Sequence, residues 1–141
     1  VSLRFDYQAE FNKPLMDMKR VLIADDHACV IKALRVVLRH EQQFEVVGET
    51  DSGLEALSIC KSIKPDIIIL DLMLKELSGI EVLRRTRRDM PDVAILIYTG
   101  FAYGEIVAKA MRHDPHGLIS KLDDLDVLRS ALHAVSSGGT Y

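Results

Sequence analysis

Five positions in this chain carry groups that could act together: Asp25, Asp26, Asp71, Thr99 and Lys121. Each ends an apolar run with a polar side chain. Asp71 closes Ile67-Ile68-Ile69-Leu70, and Asp25 and Asp26 follow Val21-Leu22-Ile23-Ala24. Thr99 follows the run from Val93 to Tyr98, and Lys121 follows Gly117 to Ser120. Three carboxylates within a few ångströms raise one another's pKa and cannot all ionise cheaply. A hard divalent cation resolves that conflict, and Mg2+ accepts a few carboxylates while keeping several waters. Lys121 adds an ammonium and Thr99 a hydroxyl donor. Such a set suits an incoming phosphoryl group: one carboxylate attacks it, the cation neutralises developing charge, and the ammonium and hydroxyl bind its oxygens. Such a transfer needs mainly positioning and charge stabilisation. Singly, each residue reads as a cap or a loop polar group. Their recurrence at matching run ends argues for a site.

A parallel sheet is what would bring these ends together. Four consecutive branched aliphatics do not alternate, so both faces of the strand at 67–70 should be covered. Strand-like runs at 21–24, 44–49, 67–70, 93–98 and 117–120 alternate with helical spacing over about 29–40, 53–62, 79–89, 103–113 and 123–135. Five βα repeats argue an α/β, doubly wound parallel sheet with helices on both faces. Right-handed crossovers leave few topologies. Ser52-Gly53-Leu54-Glu55 and Ser78-Gly79-Ile80-Glu81 read as capping boxes. Lys64-Pro65 stops the second helix. Leu57, Cys60, Ile80 and Leu83 are expected to point inward, with Leu125, Leu128, Leu132 and Val135 forming the inner face of the last helix. Val127, Ala131 and Ala134 either widen that stripe or meet a partner.

The 141 residues suffice for one domain with a real core. With 48% apolar and 28% charged residues the composition is that of a soluble globule, and a net charge of −3 gives no pull toward nucleic acid or an acidic membrane. No run is long enough to span a bilayer and no secretory segment is visible, which points to a cytoplasmic protein with no membrane partner. Cys29 and Cys60 then read as reduced thiols on apolar helix faces. Residues 1–18 lack periodicity and read as a leader or N-terminal arm. No G-x-G-x-x-G or Walker A pattern is present. Arg84, Arg85, Arg87 and Arg88 read as a solvated helix end. His27 is expected outside the metal shell, because a hard oxygen site favours Mg2+. His40, His113, His116 and His133 are expected at the surface.

The ordered set resembles the receiver domain of bacterial two-component response regulators over about residues 19 to 135. Asp25-Asp26, Asp71, Gly79 eight positions on, Thr99 and Lys121 carry the resemblance. It implies a flavodoxin-like (βα)5 fold with strand order 2-1-3-4-5, and a receiver spanning 19–137. Asp71 would be the phospho-acceptor. Asp26 would bind Mg2+ directly and Asp25 mainly through water, with the Met73 main-chain carbonyl as a further ligand beside Asp71. Lys121 would pair with the phosphoryl group and Thr99 would move to hydrogen-bond it. A sensor histidine kinase is the implied donor, and a homodimer the implied product of phosphorylation. Catalysis would extend only to the domain's own phosphorylation and dephosphorylation.

A narrower resemblance runs through Ala24-Asp25-Asp26-His27 and the stretch from Phe44 to Glu49. It is to the transcription factors with a LuxR-type helix-turn-helix output. Residues 138–141 look like the start of that subfamily's linker, so DNA would be contacted only through an output domain absent from this chain.

Three positions depart from the family pattern. Leu118 replaces the switch aromatic, leaving Tyr103 as a candidate substitute. Lys75 replaces a proline, which is expected to loosen the loop after Asp71. Leu122 replaces the proline after Lys121, where a trans bond is expected. Met73 and Phe101 would overhang the phosphoryl group with apolar side chains and slow its hydrolysis. Two rivals stand beside the receiver. One is a phosphohydrolase of the haloacid-dehalogenase type, whose second aspartate is missing from Asp71-Leu72-Met73. The other is a pseudo-receiver that binds partners unphosphorylated.

Overall fold

Along Lys19–Ala24 (β1), Val21 and Ile23 enter one core layer while Leu22 and Ala24 enter the other. The same parity runs through Ile67–Leu70 (β3), where Ile67 and Ile69 join the first layer and Ile68 and Leu70 the second. All four of these β3 side chains are buried, as a strand covered on both faces requires. The computed structural model describes residues 18–100 and 104–141. Most of the N-terminal arm, Phe101 and Tyr103 lie outside the described residues.

The remaining strands are Phe44–Thr50 (β2), Ala94–Thr99 (β4) and Gly117–Ser120 (β5). The five pair in parallel in the order β2-β1-β3-β4-β5, the flavodoxin-like arrangement. The helices are Ala28–Arg39 (α1), Gly53–Ile63 (α2), Gly79–Asp89 (α3), Glu105–Met111 (α4) and Leu125–Ser136 (α5). Leu34 and Leu38 of α1 and Leu128, Leu132 and Val135 of α5 cover the first layer. Ala56, Leu57 and Cys60 of α2, Val82 and Leu83 of α3, and Ala110 of α4 cover the second. Among the described residues no helix is long and apolar enough to cross a membrane.

Both capping boxes are half made. Ser52 and Ser78 accept hydrogen bonds from the main-chain N–H groups of Glu55 and Glu81. The glutamates do not complete the exchange: the Ser52 N–H is taken by Thr50 Oγ1, and Glu81 is held by Arg84 and Arg85. Lys64 ends α2 in the left-handed region (φ 52°), donating its N–H to Cys60 O before Pro65. Leu125 opens α5 exposed instead of packing inward, and Ile80 is only half buried. Ala131 is fully buried, so it belongs to the core stripe. The stretch read as a linker start turns back after Gly138 (φ +86°), and the Tyr141 N–H reaches His116 O at 2.9 Å.

Cys29 is exposed on α1, against expectation, whereas Cys60 is fully buried. Burial pushes the Cys60 thiol up to about 12. Between the ordinary thiol value of about 9 and that limit, the unfolded chain loses a proton that the folded chain keeps. The stabilising contribution is therefore complete below about pH 9 and lost as pH rises toward 12. Urea midpoints are expected to fall over this window, and Cys60→Ala to flatten the fall; an unchanged slope in the variant would contradict the assignment.

Candidate functional site

Asp71, Asp25 and Lys121 each lie one residue beyond a strand, yet each still donates its main-chain N–H to the neighbouring strand. Asp71 bonds to Ala24 O (2.9 Å), Asp25 to Thr50 O (3.0 Å) and Lys121 to Thr99 O (2.9 Å). The sheet ladder thus fixes three functional Cα positions at its carboxyl edge, where open α/β sheets place their ligands. Thr99 ends β4 at the same edge and is fully buried.

Asp25 and Asp71 are almost fully buried, each 2% exposed. The Lys121 ammonium sits between them, 2.8 Å from Asp25 Oδ2 and 2.8 Å from Asp71 Oδ2. Burial alone would lower the Lys121 pKa. The hydrogen bonds to the two carboxylates outweigh it and hold the ammonium above the usual lysine range. The four strand-end groups Asp25, Asp26, Asp71 and Lys121 do meet. Thr99 holds Lys121 through its main chain.

Asp26 is more open, but its Oδ1 is buried and accepts no hydrogen bond among the described residues, with only the His27 ring at ion-pair distance. An orphaned buried carboxylate oxygen is costly unless a cation faces it. Asp25, Asp26, Asp71 and His27 present ligand atoms that all lie within 4.8 Å of one another. The oxygen donors fit a hard divalent ion such as Mg2+, and Asp25, Asp26 and Asp71 are the residues that would hold it.

His27, expected outside the metal shell, lies among these groups. Its ring reaches into the acidic group, with Nδ1 2.9 Å from Asp26 Oδ1, 3.3 Å from Asp25 Oδ1 and 3.4 Å from the Lys121 ammonium. The signal was its place directly after the acidic pair. His116 is likewise no simple surface residue. Its Nδ1 accepts the Ile95 N–H at 3.0 Å, and burial holds its pKa below the usual histidine value.

The loop after Asp71 is pinned, not loosened, at Lys75. The Lys75 N–H donates to Asp51 O (3.0 Å), its carbonyl accepts from Gly53 N–H (2.9 Å), and its ammonium meets Asp51 Oδ2 (2.8 Å). The exposed ion pair contributes little by itself. The two main-chain bonds do the anchoring. Gly79 closes the other end, donating its N–H to Leu72 O at 2.9 Å. Met73 projects from this loop, 44% exposed, with its N–H 3.4 Å from Asp71 Oδ1. Leu118 packs half-buried against the layer under α2, α3 and α4. The Lys121–Leu122 peptide is trans, as expected.

The arginines of α3 are paired within the domain. Arg84 and Arg85 meet Glu81, Arg88 meets Asp89, and Arg87 reaches Asp114. Hydrogen bonds from Arg84 and then Arg85 hold the Glu81 carboxyl at about 2.

The sequence profile described as the response regulator receiver domain matches residues 21–133. An uncharacterized transcriptional regulatory protein of Bacillus subtilis (strain 168), YhcZ, is 37% identical over 93 residues, which cover 66% of this chain and 44% of that protein. The chain spans about half the length of the curated relatives it matches, from 44% to 58% of them. Among solved structures, the isolated REC domain of RcsB from Salmonella enterica serovar Typhimurium, in the presence of phosphomimetic BeF3−, superposes with a TM-score of 0.81. It is 25% identical, over 88% of this chain and 92% of that one. A LuxR-family two-component response regulator from Aurantimonas sp. SI85-9A1 gives 0.79 at 28% identity, over 87% and 88%.

Proposed function

The chain belongs to the response regulator receiver domain family, and from that premise we propose that Asp71 accepts a phosphoryl group from the phosphohistidine of a sensor kinase. The observation that carries this reading is the Lys121 ammonium held 2.8 Å from both Asp71 and Asp25. A buried carboxylate with a fixed cation against one oxygen is oriented before any donor arrives.

In the proposed reaction an Asp71 carboxylate oxygen attacks phosphorus, the new P–O bond forms, and the P–N bond to the donor imidazole breaks. The leaving imidazole keeps the electron pair. Lys121 then turns from the two carboxylates toward the added phosphoryl oxygens, and Thr99 offers them its hydroxyl. The chemistry that bound Mg2+ supplies is charge neutralisation on those oxygens, with Asp25, Asp26, Asp71 and the Met73 carbonyl as its proposed ligands.

Receiver domains are signalling modules and not turnover enzymes. The wider reading is that residues 19–137 form the receiver and that residues 138–141 begin a linker. The output would be transcriptional, through a helix-turn-helix domain outside these residues, with a homodimer formed on phosphorylation. The LuxR-family structure and the transcriptional regulator among the relatives support that reading.

Acetyl phosphate with Mg2+ tests it. One phosphoryl adduct per chain by intact-mass measurement is expected. Absence of an adduct, together with NMR spectra unmoved by beryllofluoride, would favour the pseudo-receiver; multiple turnover on small phosphomonoesters would favour the hydrolase.

A further inference from the structure

We propose that His27 is an imidazole ligand in this metal site, and that it turns the site's preference toward transition ions such as Zn2+, Co2+ and Ni2+. The inference rests on the reading of Asp25, Asp26 and Asp71 as metal ligands. It concerns what the fourth group adds.

The spacing carries the argument. Two donors placed cis on an ion with bonds of about 2.1 Å lie about 3.0 Å apart, and trans donors about 4.2 Å apart. His27 Nδ1 is 2.9 Å from Asp26 Oδ1, 3.3 Å from Asp25 Oδ1 and 3.9 Å from Asp71 Oδ2. The first two match cis neighbours, and the third falls between the two limits. Asp26 Oδ1, the nearest of them, is the buried oxygen that accepts no hydrogen bond among the described residues. It stands at ion-pair distance from the ring without hydrogen-bond geometry, at the spacing of two cis donors on one ion.

The main chain aims the ring. His27 is the N-cap of α1 and uses no side-chain cap bond, while its own N–H is taken by Asp25 Oδ1 at 2.8 Å. The Oδ2 atoms of Asp25 and Asp71 are occupied by Lys121. Asp25 Oδ1, Asp26 Oδ1 and His27 Nδ1, the last also 3.4 Å from the Lys121 ammonium, form one mixed face of two oxygens and a nitrogen. The ring is also reachable, with 57% of the side chain exposed. Mg2+ gains little from a nitrogen donor. Imidazole strongly favours zinc, nickel and their neighbours, whose affinities already exceed that of magnesium at such sites. A transition ion would therefore displace Mg2+ from the acceptor site.

Titration of the folded chain with Co2+ and, separately, Mg2+ tests this, followed by calorimetry and by cobalt visible absorption. His27→Ala is expected to lose about tenfold or more in Co2+ affinity and to keep its Mg2+ affinity within about twofold. In the wild-type chain the His27 ring protons should show large cobalt-induced NMR shifts. Equal Co2+ affinities in the two proteins, or equal losses for both ions, would overturn the ligand role and leave Asp71 phosphorylation untouched. Binding of neither ion by the wild type would instead remove the metal-site reading itself.

Discussion

Asp71→Asn is expected to stay folded and to lose phosphoryl incorporation from acetyl phosphate by at least about a thousandfold, the scale on which loss of a nucleophile acts. Asparagine has nearly the same shape, and its amide oxygen can still accept from the Lys121 ammonium now 2.8 Å from Asp71 Oδ2. The attacking carboxylate is what disappears. Stability should hold or rise, because three carboxylates share the site and the remaining Asp25–Lys121 contact at 2.8 Å survives. Lys121→Ala makes the informative contrast. It leaves Asp25 and Asp71, each 2% exposed, without their ammonium. Stranding a buried charge in this way costs up to about 3–5 kcal/mol. Phosphorylation should also fall, by roughly 10²–10³, as for a lost charge-stabilising donor. Because the folded Lys121 pKa is raised, its contribution is complete below the unfolded lysine value of about 10.4 and is lost only as pH climbs through the folded one. Intact mass and thermal unfolding separate the two effects. An Asp71→Asn protein that still took up phosphoryl groups would move the acceptor elsewhere.

The parts of this site that were legible in the sequence are those set by backbone periodicity. A run such as Ile67 to Leu70, short, branched and apolar at every position just after Pro65, suits a strand covered twice, and parallel strands end at one edge. Asp25, Asp71, Thr99 and Lys121 could therefore be placed together before any coordinates. What was not legible depends on which of several partners a side chain takes. Glu81 had a cap to complete, but arginines three and four residues on compete for the same carboxylate and hold it. The missing proline at Lys75 suggests a looser loop, although the anchoring comes from main-chain bonds to Asp51 and Gly53, which any non-proline residue can make. His116 meets the Ile95 N–H across β4 and β5, and no local pattern reports such a pair. For His27 the difficulty was chemical. Ion hardness favours oxygen donors for Mg2+, but a ring directly after two acceptor-edge carboxylates is held against them whatever ion they bind.

Gly79→Ala is expected to destabilise the domain and to slow phosphorylation together. A Cβ at position 79 would lie 2.1 Å from Asp71 O and 2.6 Å from Leu72 Cα, both main-chain atoms. No rotamer change can relieve a clash with backbone, so either α3 withdraws or the acceptor segment moves. Overpacking of this kind typically costs about 1–3 kcal/mol, and backbone contact puts the change at the upper end or beyond. Withdrawal of α3 would also strain the bond from Gly79 N–H to Leu72 O, and with it the position of the residue after the acceptor. A displacement of about 1 Å at a reacting group can cost about a hundredfold in rate. Gly53→Ala tests whether the loop as a whole carries this effect. Its Cβ would meet Leu77 O at 2.0 Å, near the far end of the same loop, without touching Asp71. If loop placement governs Asp71, both variants should lower the unfolding midpoint and the rate of adduct formation. If the contact is only structural, each variant would lose stability while the folded fraction kept its normal rate. A Gly79→Ala protein with unchanged unfolding and unchanged rate would show that the approach of α3 to the acceptor strand is looser than these distances require.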